Sequence, residues 1–148
     1  MKVVVQRVKE ASVWVNDEEV SRISEGLLLL VGFTQGDGDS QIKYLARKIA
    51  KLRIFSDELG LLNKSILDIK GQILSISQFT VYGDASNGNR PSFTKSLNYD
   101  LANQLYEKFN QVLRGEYNIE VFTGVFGEEM NVILNNHGPV TIIIEKND

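Results

Sequence analysis

The chain has 148 residues, no cysteine, two prolines and one histidine, with 43% hydrophobic and 24% charged residues and a formal net charge of −3. That length suits one globular domain with a sizeable core. The absence of cysteine excludes disulfides and cysteine-ligated zinc, and the acidic balance excludes an overtly basic nucleic-acid-binding module, although a local patch can still meet a phosphate. The longest apolar run, residues 27–31, is five residues, far short of the roughly 20 that cross a bilayer. Met1-Lys2 leads directly into Val3-Val4-Val5, which reads as a first strand rather than a targeting signal and makes the cytosol the expected location.

In chain order, residues 3–8 predict a strand, and Ser12-Val13-Trp14-Val15 alternates towards a turn at Asn16-Asp17, from which residues 19–23 return as a hairpin. Gly26 opens residues 27–33, apolar on both faces, the pattern of a central strand covered from both sides. Gly36-Asp37-Gly38-Asp39 is a loop, with Asp39 or Ser40 placed to cap the next helix. That helix, about residues 41–51, puts Ile42, Leu45, Ala46 and Ile49 on one face and Lys43, Arg47 and Lys51 on another. The basic stripe has two readings: a solvated face, which is the commoner use, or a ridge that contacts phosphates.

Residues 52–55 predict a short strand and Asp57-Glu58-Leu59-Gly60 a turn. Residues 72–80 alternate, with Ile73, Ser75, Ser77 and Phe79 against Leu74, Ile76 and Gln78, and the polar residues gather towards the C-terminal end. A strand built this way delivers polar groups to a site. Residues 83–90, with Asn87-Gly88 inside, form a polar loop that stops at Pro91. Asn98 or Asp100 starts a second amphipathic helix that buries Leu101, Leu105, Phe109 and Val112, and strands at 119–126, 131–134 and 140–145 complete the chain. Many strands with two amphipathic helices, and no regular βαβ alternation, give a single domain over residues 1–148, α/β of the α+β type, around a mixed β-sheet.

Side-chain chemistry is sparse. His137 has no histidine or cysteine partner, so no metal constellation is present and no cofactor is expected; Gly36-Asp37-Gly38 lacks the third glycine and the context of a dinucleotide fingerprint. Ser77, Thr80 and Ser92 are hydroxyls near polar loops for which His137 can be proposed as a base, but a lone histidine beside a turn is more often a surface or capping residue. Ser77 and Thr80 read equally as strand residues that bond neighbouring backbone. Phe126 and Met130, either side of Gly127, suit a bulge with core filling or the lining of an aromatic pocket.

The strongest backbone signal is Asn136-His137-Gly138-Pro139 ahead of Val140-Thr141-Ile142-Ile143-Ile144, which spends one of two prolines at the mouth of a buried strand. Gly reaches φ values closed to other residues and Pro fixes φ near −65°. Composition alone leaves a plain turn open and does not license a cis bond.

Two segments resemble a known family. Ser77-Gln78-Phe79-Thr80 and Asn136-His137-Gly138-Pro139-Val140-Thr141 are similar to the SQxT and NxGPxT signatures of D-aminoacyl-tRNA deacylases. The likeness extends to Gln6-Arg7-Val8, Ala11-Ser12-Val13, Arg53-Ile54-Phe55-Ser56-Asp57 and Arg90-Pro91-Ser92-Phe93. The resemblance implies a barrel-like core and a cytosolic homodimer with no membrane role. Its implied partner is tRNA, and its implied reaction is hydrolysis of the ester between a D-amino acid and the tRNA 3′ end. It assigns Ser77, Gln78, Phe79 and Thr80 to the catalytic pocket, and Phe126 and Met130 to contacts with the terminal adenosine. Gly138 and Pro139, joined by a cis bond, become a chirality filter that enters the partner's pocket, with Arg7 holding them in place. The family often carries an acidic residue where this chain has His137, and it does its chemistry without that side chain. A DNA- or chromatin-associated binding role, reported for relatives of the fold, and an inactive tRNA-binding relative are the alternatives.

Overall fold

A computed structural model describes residues Met1–Asp148. The strands are β1 (Lys2–Val15), β2 (Glu18–Ile23), β3 (Gly26–Gly32), β4 (Phe55–Ser56), β5 (Leu62–Lys64), β6 (Gln72–Ser77), β7 (Glu120–Thr123) and β8 (Asn131–Glu145). The helices are α1 (Asp39–Lys51), α2 (Ile66–Ile69) and α3 (Tyr99–Tyr117), with a 3-10 turn at Phe79–Tyr82.

The sheet runs β2-β1-β3-β6-β7, with β8 also on β1. β1 is antiparallel to β2, β3 and β8, whereas β3, β6 and β7 are parallel. The sheet is therefore mixed, and its two parallel crossovers carry α1 and α3. β1 meets β3 through residues 2–8 and β2 through residues 11–15, so the strand coils between two neighbours. The coil brings β2 round to β7, where Ser21 Oγ donates to the Thr123 carbonyl at 2.6 Å and nearly closes a barrel.

Alternation divides the apolar residues between two cores. Leu28, Val8, Val13, Ile23, Leu74 and Ile76 fill the barrel interior. Leu27, Leu29, Val31, Val3 and Val5 face outward and are covered by Ile42, Leu45 and Ile49 of α1 and by Phe109 and Leu113 of α3. β3 is thus buried on both faces, as its sequence requires.

Several boundaries differ from expectation. Gly38, not Asp39 or Ser40, caps α1; its N–H donates to Gln41 Oε1 at 2.9 Å, and Asp39 sits inside the helix facing Lys108. Asn98 rather than Asp100 caps α3, accepting from the Leu101 amide at 3.0 Å. The buried face of α3 is Leu105, Tyr106, Phe109 and Leu113, while Leu101 stays exposed because the first turn overhangs the core, and Val112 is half-buried. The expected strand at 52–55 is displaced to Phe55–Ser56, and that at 119–126 shortens to Glu120–Thr123. α2 was not anticipated; Ser65 and Asp68 form a reciprocal cap around its single turn.

The segments expected as strands at 131–134 and 140–145 are one continuous strand. Gly138-Pro139 therefore lies within β8 rather than at the mouth of a strand, and that strand, expected to be buried, has no buried residue because β8 has a neighbour on one edge only. Pairing runs from Asn131 opposite Trp14 to Glu145 opposite Lys2, with a break where Asn136 faces Val8 and Thr141 faces Gln6. The four intervening residues of β8 bulge outward opposite Arg7.

Candidate functional site

The parallel pair β3–β6 ends where Gln78 N–H donates to the Val31 carbonyl at 2.8 Å. Beyond that rung β3 is finished, so the chain cannot continue as sheet; the strand expected through Thr80 stops at Ser77 and tightens into the 3-10 turn. The carboxyl ends of parallel strands are where open α/β sheets bind ligands, because the following segments diverge there. A cavity of about 580 Å³ occupies that place.

Ser77, Gln78, Phe79 and Thr80 line it on one side and Phe126 and Met130 on another, so six of the residues singled out from sequence converge. Gln78 Nε2 donates to Thr80 Oγ1 at 2.8 Å, which fixes both side chains. The amides of Phe79 and Thr80 precede the first internal bond of the turn, from Val81 N–H to the Gln78 carbonyl, and so have no partner within it. Phe79 is 57% exposed and packs edge-on against Phe93, with ring centroids 5.2 Å apart, an apolar lip on a mostly apolar cavity.

The far wall is aromatic. Phe126 packs edge-on against Tyr99 at 4.9 Å and lies 5.8 Å from Tyr106, and Tyr99 OH donates to the Phe126 carbonyl at 3.4 Å. Burial raises the Tyr106 phenol above its ordinary pKa, which keeps the hydroxyl a donor to the Ser75 carbonyl at 2.6 Å. Gly127, at φ +82°, has no room for a side chain: a Cβ would fall 2.4 Å from Tyr99 Oη. Both readings of Phe126 and Met130 thus hold in part, since each lines the cavity while packing against a core.

Tyr99, Ser96 and Leu97 line the cavity too and were not anticipated. Leu97 N–H donates to the Phe33 carbonyl at 3.0 Å, and Ser96 Oγ to the Phe79 carbonyl at 3.1 Å, folding the segment after Pro91 over the strand ends. Only the cap signal at Asn98 marked that segment in the sequence.

Gly138, Pro139 and Arg7 lie outside this cavity. Arg7 is 7% exposed and has no carboxylate partner. Its Nε donates to the His137 carbonyl and its Nη1 to the Ile54 carbonyl, both at 2.9 Å, so one planar fork joins β1, the β8 bulge and the segment after α1. Asn136 and Thr141 brace the bulge from within. Asn136 Oδ1 accepts from the Val140 amide at 3.1 Å and its Nδ2 donates to Thr141 Oγ1 at 3.0 Å. Gly138 has φ +131°, and a Cβ there would lie 2.8 Å from Arg7 Nη2 and 2.9 Å from Val140 Cγ2. The Gly138-Pro139 bond is cis, and both residues are exposed. The His137 ring makes no hydrogen bond with Ser77, Thr80 or Ser92; its carbonyl is the atom engaged.

Comparison with known proteins first gives the class. A solved structure described as a probable eukaryotic D-amino acid tRNA deacylase has the same fold, with a TM-score of 0.76 at 18% identity over 97% of both chains. Another, described as c-Myc DNA Unwinding Element Binding Protein, has a TM-score of 0.94 and 39% identity over 99% of both chains. The profile of the enzyme family described as D-Tyr-tRNA(Tyr) deacylase matches residues 4–145, and the chain belongs to that family. Relatives named D-aminoacyl-tRNA deacylase include that of Bacillus cytotoxicus, 54% identical over 98% of this chain and 99% of its own. Those of Bacillus pumilus, with 100% of both chains aligned, and of an Exiguobacterium species, with 99% of both, are each 52% identical. No helix is long and apolar enough to cross a membrane.

Proposed function

We propose that the protein is a D-aminoacyl-tRNA deacylase of the cytosol. It adds water across the ester between a D-amino acid and the 3′ end of tRNA, releasing the amino acid and tRNA. The observation that carries this reading is the cavity uniting Ser77, Gln78, Phe79 and Thr80 with Phe126 and Met130, in a chain alike to such deacylases along its length.

An aminoacyl ester is already activated, so orientation and charge stabilisation suffice and no protein nucleophile is required. Water, positioned with help from the neighbouring ribose hydroxyl, attacks the carbonyl. The amides of Phe79 and Thr80, free of partners in their turn, receive the developing oxyanion; one such donor is worth about 2.7–4 kcal/mol. Phe126 and Met130 hold the terminal adenosine.

Gly138 and Pro139 act as the chirality filter. Backbone facing the substrate Cα leaves no volume where an L side chain must point, and unlike a side chain it cannot rotate aside. Exclusion is the effective route to selectivity, because attraction to one methylene discriminates by only about 1–3 kcal/mol. Glycine has no side chain to exclude, so glycyl-tRNA passes the filter and is hydrolysed. The filter lies outside the cavity of its own chain, exposed on β8, and a homodimer brings it into a partner's cavity. In support, β8 pairs only with β1, and its strand exposes Ile133, Ile142 and Ile143; a long apolar strand with a free edge invites a second copy.

The competing DNA-binding reading takes its support from the name of one solved relative; the net charge of −3 disfavours it. Amino-acid release from matched D- and L-aminoacyl-tRNA, with and without chelator, is the deciding assay. D-selective, chelator-insensitive release is expected; equal rates on both enantiomers, or none, refute the proposal.

A further inference from the structure

A second concavity, of about 340 Å³, lies at the C-terminal end of α1, lined by Tyr44, Arg47, Lys48, Lys51, Leu52 and Arg53. Four of its six residues are cations in a chain whose net charge is −3, and none of the four makes a salt bridge, although six such bridges form elsewhere. Arg53 is held in place without a direct ion pair, although Asp68 lies close enough to feel its charge: its Nε and Nη2 donate to the carbonyl and Oδ1 of Asn63 at 3.1 and 2.8 Å, leaving Nη1 free. Tyr44 adds an exposed ring, over which Lys146 Nζ sits 4.9 Å from the centroid. Lys43, grouped with Arg47 and Lys51 by sequence spacing, is not part of the cleft.

Lysines in a last turn have an ordinary use, since the helix C-terminus carries about half a negative charge. That accounts for Lys48 or Lys51. It does not account for four full charges, for Arg47 a turn earlier or for Arg53 beyond the helix. The position of the cleft is equally informative. Arg53 precedes Ile54, whose carbonyl Arg7 binds with the same guanidinium that holds the His137 carbonyl. The cleft is thus tied through one side chain to the Gly138-Pro139 bulge.

We propose that this cleft binds the phosphate backbone of the tRNA substrate, seating the stem behind the 3′ end while Gly138 and Pro139 face the aminoacyl ester; the proposal rests on the deacylase reading. Phosphate contacts position a nucleic acid without reading its sequence.

The test compares D-tyrosyl-tRNA with D-tyrosyl-adenosine, which keeps the ester and nucleoside but has no phosphate chain. In Arg47→Gln/Lys51→Gln, KM for D-tyrosyl-tRNA rises about tenfold or more at physiological salt with kcat retained, and the salt dependence of tRNA binding weakens by roughly two contacts. The kcat/KM for D-tyrosyl-adenosine stays within about twofold of the parent. Arg53→Gln, which changes no residue of α1, repeats the effect at smaller size, so loss of helix propensity is not its source. Unchanged KM on tRNA, or equal losses on both substrates, overturns the proposal. Titration with uncharged tRNA needs no turnover: if the parent releases nothing from either ester, the deacylase reading fails, and the cleft still stands or falls on the weakened binding of the variant. Equal binding of a DNA duplex of matched length overturns the assignment to tRNA.

Discussion

The two signature segments of this chain solve opposite problems. The cavity at Ser77, Gln78, Phe79 and Thr80 is concave and lies at the end of a parallel strand pair, where side chains and amides point into shared space. The bulge at Gly138-Pro139 is convex, sits on the free-edged strand β8 and offers mainly main chain, braced by Arg7, Asn136 and Thr141. One is shaped to receive a ligand; in the proposed dimer the other is what enters it. Within a single chain they do not meet, which is why the proposed active site takes two copies.

Replacing Gly138 by alanine tests the convex part most severely. The new Cβ falls 2.8 Å from Arg7 Nη2 and 2.9 Å from Val140 Cγ2, and alanine is strained at φ +131°, so the bulge or the Arg7 brace that holds it shifts. Since a displacement of about 1 Å at a reacting centre costs on the order of a hundredfold, kcat/KM on D-aminoacyl-tRNA drops by at least that factor; a fully active Gly138→Ala enzyme breaks the comparison. Arg7→Ala comes next. It leaves the His137 and Ile54 carbonyls without their donor, at about 1–3 kcal/mol each if they stay dry, and lets the bulge relax. A lowered Tm together with measurable hydrolysis of L-aminoacyl-tRNA is expected, and a lowered Tm with intact L-rejection argues against Arg7 as the brace of the filter.

The third change addresses assembly. Ile143 is 66% exposed on β8, and Ile143→Lys is expected to weaken the proposed dimer about tenfold or more, with activity that recovers at high protein concentration. Activity per chain that is independent of concentration in a proven monomer rules out the two-subunit site. Thr80→Ala is the mildest. Its hydroxyl only accepts from Gln78 Nε2, while the proposed oxyanion contact is backbone, so kcat falls less than about tenfold, against the several orders of magnitude that a nucleophile requires.

Local signals in the sequence located the cores well. Ile42, Leu45, Ala46 and Ile49 share the buried face of α1, and the apolar run opened by Gly26 is buried on both sides, because periodicity alone decides such faces. Long-range pairing was not legible. Asn136-His137-Gly138-Pro139 breaks the two-residue alternation and Pro139 donates no hydrogen bond, so β8 read as two strands; only register against β1 joins them. The same limit hid Ser96, Leu97 and Tyr99, which reach the cavity through a bond to Phe33 that no local pattern encodes. Ser65 and Asp68, by contrast, form a capping pair whose spacing marks α2 in the sequence.

The pairing of β1 with β8 has a consequence for how the molecule is made. Lys2 pairs with Glu145 and Trp14 with Asn131, so strands that lie in register are synthesised far apart along the chain. At ordinary elongation rates they emerge roughly ten seconds apart. During that interval β1 can engage β2 and β3, but its other edge stays open to any passing strand. The main-chain element that would sort enantiomers therefore takes its place only after β8 has emerged, and a nascent chain stalled before Asn131 lacks both that element and its pairing with β1.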